Sequence, residues 1–208
     1  RCVTNLATYL TKWTKSEDRK LFRMMKYVNG SLSLRQVGFI GDDLSKCRLA
    51  LYTDSDFAGD RRDCKSTSGG ILVLEGPHTF YPLGPFCKKQ SRTSHSSAEA
   101  EVVALDTTYR KEGIPAIDLW EVILGGKPEL VIYEDNQAAA RVIKTGKSQE
   151  LRPVNRHHGV SIHSLHESYA GKEFVLEDCH TRAQAADIFT KAFTNEEDWK
   201  HVCLLIGM

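Results

Sequence analysis

The stretch RLALYTDSDFAGD, residues 48–60, decides the fold assignment of this chain. Its first residues alternate in side-chain character with a period of two, which is typical of a half-buried β-strand. The strand ends in acid, at Asp54 and Asp56, and Gly59 marks a turn. Because a carboxylate is costly to keep in an apolar core, we expect Asp54 to face an open site.

Three later segments each bring an acid to a comparable position. Glu101 lies in SSAEAEVVAL, Asp135 ends LVIYED, and Asp187 lies in AQAADIFTK. Carboxylates that cluster repel one another, and a bound divalent cation is the usual resolution. No Cys or His ligand set accompanies these acids, so Mg²⁺ is preferred to Zn²⁺. The pattern predicts a nuclease site that uses two metal ions.

The helix predicted after Ser96 or Ser97 contains two glutamates, Glu99 and Glu101. Its apolar residues recur at helical spacing and predict a buried face, with Glu101 on the flank of that face. Glu99 lies about 200° from Glu101 around a helix with 3.6 residues per turn, so the two cannot share one site. We predict that Glu101 is the site acid and that Glu99 is solvated or close to the helix cap.

The composition is that of an ordinary globular protein, with 208 residues, 41% hydrophobic and 26% charged. This length suits one domain, or a domain with an appendage. No apolar run approaches about 18 residues, so we expect no transmembrane span. The six cysteines form no CxxC pair and are expected to be reduced thiols of an intracellular protein. The chain opens on Arg1 in mid-pattern, which suggests a piece of a longer protein.

The elements expected in chain order are a helical leader, three strands, a helix, a strand, two helices, a strand and a helix. Strands and helices alternate only in the second half, which favours a mixed sheet flanked by helices. We divide the chain into a helical leader (1–46), a main domain (47–194) and a C-terminal tail (195–208). Pro82, Gly84 and Pro85 make the stretch after Tyr81 irregular in this prediction, and Pro115 is expected to end or kink its helix.

Two helical segments have alternative interpretations. In the leader, Ser16 is a candidate N-cap, and the stripe Leu21, Met25 and Val28 is interpreted as core packing rather than as a binding face. In the other, four histidines fall within ten residues, and His163 and His166 share one helix face. We prefer a surface or packing helix to a metal site, because no acidic or Cys partner follows at a zinc-ligand spacing.

Five strings in order carry a family resemblance: YTDSDFAGDRRDCKSTSGG, KKQSRTSHSSAEAEVVAL, YEDNQAA, NRHHGVSIH and AADIFTK. Over residues 48–193 the chain resembles the ribonuclease H domain of copia-type retrotransposon polyproteins. RKLFRMMKYVNGS in the leader is similar to the end of the reverse transcriptase that precedes that domain. The resemblance implies an α/β, RNase H-like fold with a central mixed five-stranded sheet. It also implies that the protein cleaves the RNA strand of RNA–DNA hybrids, in a cytoplasmic particle or the nucleus.

The four acids of that family carry over by motif to Asp54, Glu101, Asp135 and Asp187. The family's glutamate opens an E-x-x-A pattern, which Glu101 fits and Glu99 does not. The resemblance implies two Mg²⁺ ions, with Mn²⁺ as a possible substitute. Asp54 would bridge them, Glu101 and Asp135 would complete one ion's shell, and Asp187 the other's.

Further substrate and proton-handling residues are expected near the acids. Ser55, Asn136 and Gln137 adjoin them and are candidates for contacts to the RNA 2′-hydroxyls. RNase H enzymes more broadly carry a histidine before the fourth acid, and His180 is the candidate here, although copia-type sequences usually have none. FYPLGPFC stands where the family has a simpler strand containing Trp.

Two rival functions remain. The first alternative to hybrid cleavage is a catalytically inactive RNase H-like domain that binds nucleic acid or supports a polymerase. The second is an enzyme for another polynucleotidyl transfer, such as cutting DNA, because fold alone does not fix function.

Overall fold

A computed structural model describes residues 1–60 and 62–208. Five strands and nine α-helices are assigned in this part of the chain. The strands are β1 (Arg48–Asp56), β2 (Thr67–Gly76), β3 (Thr79–Lys89), β4 (Leu130–Glu134) and β5 (Val175–Asp178). The helices are α1 (Cys2–Ala7), α2 (Lys15–Gly30), α3 (Ser97–Thr108), α4 (Ile114–Leu124), α5 (Gln137–Thr145), α6 (Val154–His158), α7 (Ile162–Ala170), α8 (Asp187–Thr190) and α9 (Glu196–Leu205).

The five strands form one mixed sheet in the order β3-β2-β1-β4-β5. The three N-terminal strands pair antiparallel, whereas β4 lies parallel to β1 and β5 lies parallel to β4. This confirms the predicted α/β fold with a central mixed five-stranded sheet. The parallel pairing of Tyr52 with Tyr133 brings the C-terminal ends of β1 and β4 to the same edge of the sheet.

Helices cover both faces of the sheet. On one face the apolar residues of α3, α5 and α7 pack with the sheet's inward side chains and with the fully buried Phe174, directly before β5. On the other face Ala50, Ile71 and Val73 pack against Ala185 and the end of the chain at Ile206. Because β1 is central and buried on both sides, an acid at its end is held rigidly.

The junction of α3 and α4 differs from the expected break. A π-helical turn, Tyr109–Gly113, joins the two helices. Pro115 lies in the first turn of α4, directly after this wider π-helical turn. The proline is therefore accommodated without ending the helical run.

The expectation that the stretch at Pro82, Gly84 and Pro85 is irregular is wrong, because these residues lie in a strand. β3 runs unbroken from Thr79 to Lys89, with one irregularity in its pairing opposite Leu72 and Val73. β3 is an edge strand, and an edge strand tolerates Pro82 and Pro85 because one side of its backbone needs no partner.

The leader is less helical than expected. Helix α2 ends at Gly30, and residues 31–43 contain no α-helix. Its N-cap is Thr14, whose hydroxyl accepts the backbone N–H of Ser16, so the assignment of Ser16 as the cap is wrong.

The apolar stripe of α2 does not pack in a core. Leu21, Met25 and Val28 are 36%, 51% and 44% exposed, and Glu17 is the buried residue of this helix. The interpretation of this stripe as core packing is therefore wrong for the chain as it stands here.

The 195–208 segment, expected as a tail, is ordered. Asn195 caps α9, and Ile206 is buried against the sheet. The backbone N–H of Val37 donates to Gly207 O at 2.7 Å, and Gln36 Nε2 donates to Ile206 O at 3.0 Å. The end of the chain thus fastens the leader to the domain, while the division into three segments stays a prediction. No helix among the described residues is both long and apolar enough to cross a membrane.

Candidate active site

Three acids from three elements meet at the edge where β1 and β4 end. Asp54 lies near the end of β1, Asp135 directly follows β4, and Glu101 lies in the second turn of α3, which packs across β1. One carboxylate oxygen from each of the three lies within 4.8 Å of the others. Asp54 and Glu101 are buried and Asp135 is half-buried, so the cluster opens to solvent on one side.

Asp187 reaches this cluster through a lysine. Lys191 Nζ lies 2.6 Å from Asp187 Oδ1 and 3.7 Å from Asp54 Oδ1. Thr190, in the same turn, donates a hydrogen bond from Oγ1 to Asp54 Oδ2. The structure therefore brings three of the four predicted acids into direct proximity and connects the fourth to them through an ammonium group.

Burial dominates the electrostatics of these carboxyl groups. It raises the pKa of Asp54 to about 7, although the nearby Lys191 ammonium opposes the rise. Burial, followed by the charges of Glu134 and Asp54, raises the pKa of Glu101 to about 11. Burial also raises the pKa of Asp187, against the hydrogen bond from Lys191. Without a bound cation, the cluster keeps part of its protons at neutral pH.

The donor set fits a divalent cation. Glu101 Oε2 and Ser55 Oγ are buried and have no hydrogen-bond partner. A buried polar atom without a partner carries a desolvation cost that a bound ion can offset. Carboxylate oxygens are the ligands that hard cations such as Mg²⁺ and Mn²⁺ prefer. The cluster is consistent with divalent metal use.

Two charged residues close to the acids, Glu134 and Lys191, were not predicted from the sequence as part of the site. Glu134 is 1% exposed, and its carboxylate accepts from Thr53 Oγ1 at 3.2 Å and from Asn136 N at 3.0 Å. Burial raises the pKa of Glu134 to about 8. The alternation of β4 places Glu134 on the same side as the buried Ile132, which is a signal for burial. Lys191 follows Asp187 by four residues, a spacing at which helical ion pairs form.

The remaining predicted site residues lie in different environments. Ser55 is buried beside Asp54, whereas Gln137 is exposed in the first turn of α5. Asn136 caps α5 through its Oδ1, which accepts from two backbone N–H groups. His180 is exposed, and its Nδ1 accepts the backbone N–H of Arg182. The roles assigned to these side chains stay predictions.

Ser96 is the N-cap of α3, and Glu99 lies three residues after it in the first turn of the helix. Its Oε2 accepts the backbone N–H of His95 at 2.7 Å, while its own N–H donates to Ser96 Oγ at 3.1 Å. The two bonds form a variant of the capping box, in which the glutamate accepts the N–H of the residue before the N-cap. Of the two alternatives for Glu99, proximity to the cap is correct and solvation is wrong, because Glu99 is 3% exposed.

The two histidines of α7, His163 and His166, make packing and surface contacts. His166 Nδ1 is 3.0 Å from Ile143 O, and the exposed His163 lies 3.2 Å from Glu167. In the part of the chain that the structure describes, neither joins a cluster of metal-ligating side chains. Their surroundings agree with the packing and surface interpretation.

The strand order and the acids at the ends of β1 and β4 define an RNase H-like fold. The chain is 27% identical over 189 residues to the retrovirus-related Pol polyprotein from transposon RE1 of Arabidopsis thaliana, which covers 91% of this chain. It is 29% identical over 140 residues, or 67% of the chain, to that from transposon TNT 1-94 of Nicotiana tabacum. The resemblance to retrotransposon Pol polyproteins is thereby confirmed. The chain matches only 12% and 10% of the lengths of these relatives. No protein-family model matches it.

Among solved structures, the chain is similar to LC11-RNase H1 in complex with RNA/DNA hybrid, with a TM-score of 0.46 and 14% identity over 68% of this chain and 93% of that one. A foamy viral protease-reverse transcriptase in complex with dsDNA gives a TM-score of 0.44 and 13% identity over 71% and 92%. At these scores the fold assignment rests on the strand order of the chain itself.

Proposed function

We propose that this chain is an endonuclease that hydrolyses the RNA strand of RNA–DNA hybrids with two divalent cations, as part of a retrotransposon polyprotein. The observation that carries the proposal is the meeting of Asp54, Glu101 and Asp135 at one buried sheet edge. The Pol polyprotein relatives support the retrotransposon context, and the choice of the hybrid as substrate follows from the sequence resemblance to a ribonuclease H domain.

The acids would hold the ions, Mg²⁺ or in its place Mn²⁺, with Asp54 shared between them. When bound, two such ions activate water and stabilise the leaving oxygen of an in-line displacement. The chain itself holds two buried carboxylates in fixed positions. Asp54 is fixed by the central strand and by Thr190, and Glu101 is fixed by α3. Lys191 holds Asp187 beside Asp54 while no cation neutralises them.

Substrate recognition would depend on the backbone of the hybrid. Affinity is expected from Lys and Arg contacts to phosphate, with little reading of sequence. Gln137, Asn136 and Ser55 remain our candidates for 2′-hydroxyl contacts, and His180 for proton handling. Within a polyprotein inside the cell, the leader (1–46) would connect the domain (47–194) to a reverse transcriptase portion, and 195–208 would clamp that leader.

Hybrid cleavage in Mg²⁺ by the chain and by its Asp135→Asn variant tests the proposal. We expect Asp135→Asn to reduce the rate by about 100-fold or more, because an amide is a poor ligand for a hard cation. Equal residual activity in the two proteins would favour the alternative, an inactive domain that binds nucleic acid or supports a polymerase. Matched RNA–DNA, double-stranded RNA and double-stranded DNA substrates test the other alternative, an enzyme that cuts DNA. A preference for double-stranded DNA would reject the hybrid as substrate.

Replacing Lys191 with Gln is expected to lower the melting temperature in EDTA by a few degrees, because the charges of Asp54 and Asp187 lose their counter-ion. The rise in melting temperature on adding Mg²⁺ should be larger than in the wild type, since no ammonium then competes with the cation. Lys200→Gln is the matched control, because Lys200 pairs with Glu196 at the exposed surface. An identical Mg²⁺ response in all three proteins would contradict this role of Lys191.

A further inference from the structure

A buried polar cluster lies at the N-terminal end of α3 and takes no part in the proposed chemistry. It contains Ser94, Glu99 and His158, whose side chains come from the loop before α3, from α3 itself and from the end of α6. His158 Nε2 lies 3.5 Å from both Glu99 Oε1 and Ser94 Oγ. The side chains of His158 and Glu99 are 1% and 4% exposed. A buried polar cluster of this kind specifies the relative position of the segments that supply it.

The loop side of the cluster is tied to the sheet and to α3. Ser94 Oγ donates to Gln90 Oε1 at 3.1 Å. Gln90 Nε2 in turn donates to Ser68 Oγ at 3.1 Å and to Ala100 O at 2.9 Å. Ser68 pairs in register with Ser55, the residue next to Asp54. The network therefore runs from β1 and β2 to the residue that precedes Glu101.

The α3 side of the cluster is the variant capping box. Glu99 uses one carboxylate oxygen to accept the N–H of His95, and turns the other towards His158. The latter oxygen accepts no hydrogen bond, and the His158 imidazole, 3.5 Å away, is the polar group that it faces. Glu101 lies two residues further along the same first turns, so a shift of Glu99 displaces the Glu101 carboxylate.

We infer that His158 is a positioning residue for Glu101. His158, in α6, contacts Glu99 and Ser94 and so fixes the start of α3. The position of the Glu101 carboxylate, which completes the acid cluster, depends on that start. The inference rests on the proposed function for its activity readout. A separate measurement of Mg²⁺ binding needs no substrate.

The test compares His158→Ala with the wild type in two assays. In hybrid cleavage we expect kcat to fall about 10-fold and the Mg²⁺ concentration for half-maximal rate to rise about 5- to 10-fold, with KM for the hybrid within about two-fold, as for other residues that orient ligands. Without substrate, the rise in melting temperature produced by Mg²⁺ should be smaller than in the wild type. His158→Gln, which keeps a polar group in the same space, should recover most of the loss.

A matched control separates positioning from general destabilisation. His166→Ala also removes one histidine contact, the one to Ile143 O in α5. It should lower the melting temperature without changing the Mg²⁺ requirement. The double variant Glu99→Ala/His158→Ala should lose no more than the larger single loss, because the two side chains act through one contact.

Three results would overturn the inference: an unchanged Mg²⁺ requirement in folded His158→Ala, an equal change in His166→Ala, or no Mg²⁺-induced stabilisation of the wild type. If His158→Ala does not fold, Ser94→Ala and Glu99→Ala can replace it, because they remove the same contacts from the other side. The inference is rejected if both variants require the same Mg²⁺ concentration as the wild type. If wild type and Asp135→Asn cleave alike, the nuclease proposal fails on its own. The Mg²⁺-induced melting shift of His158→Ala then still decides this inference, a smaller shift supporting it and an equal one rejecting it.

Discussion

Glu101→Gln is expected to reduce Mg²⁺-dependent cleavage of an RNA–DNA hybrid by about 1,000-fold, since loss of a carboxylate ligand removes several kcal/mol of transition-state stabilisation. The replacement preserves the size and the hydrogen-bonding capacity of the protonated side chain, so the helix and its packing should be retained. The initial rate of cleavage at saturating Mg²⁺, with the melting temperature as the check on folding, measures this effect.

Glu99→Gln is the neighbouring comparison. Gln retains an oxygen that accepts the N–H of His95 and an amide group that faces His158, so the cap of α3 should survive. We expect this variant to keep most of the wild-type activity. The opposite outcome, with Glu99→Gln inactive and Glu101→Gln active, would mean that the site acid has been assigned to the wrong glutamate.

The same Glu101→Gln substitution is expected to stabilise the metal-free protein, and increasingly so as the pH rises. The pKa of Glu101 is raised from 4.5 to about 11, first by burial and then by the charges of Glu134 and Asp54. The folded protein therefore keeps a proton that the unfolded chain releases above its ordinary pKa. The stability associated with that proton is complete below about pH 4.5 and is lost as the pH rises towards 11. Because Gln does not titrate, the difference in unfolding free energy should grow by up to about 1.4 kcal/mol per pH unit.

Urea denaturation of both proteins in EDTA, at about pH 6, 7.5 and 9, measures this difference. In Mg²⁺ the order should reverse, because the cation binds the carboxylate of the wild type and stabilises only the folded state. Glu121→Gln, at an exposed position of α4, controls for the loss of one negative charge. A stability gap that is independent of pH would show that Glu101 is ionised in the metal-free protein.

Much of the sheet and the acid cluster followed from local patterns. The alternation of β1 and the apolar run of β4 are strong signals, and both end in acid. Once these two strands are parallel neighbours, Asp54 and Asp135 must lie at one edge. The helical-face argument identified Glu101 as the acid that joins them. These predictions depend on periodicities of two and 3.6 residues, which persist in the folded chain.

Other features depend on contacts that no local pattern reveals. β3 tolerates its prolines because it is an edge strand, and strand order is a property of the whole sheet. The stripe of α2 has the periodicity of a core helix, yet it is exposed because periodicity does not say which surface covers it. The burial of Glu99 likewise arises from His158, which is 59 residues away in the sequence. Lys191 contacts Asp54 of β1, which is distant in the sequence.

The central claim is that carboxylates from distant segments share divalent cations. Anomalous diffraction from a crystal soaked in Mn²⁺ tests it most directly, since Mn²⁺ and Mg²⁺ prefer the same oxygen ligands. We predict one peak in contact with Asp54, Glu101 and Asp135, and a second in contact with Asp54 and Asp187, with the Lys191 ammonium displaced. Manganese bound only at other surface carboxylates, with Asp54 and Glu101 uncoordinated, would contradict the account.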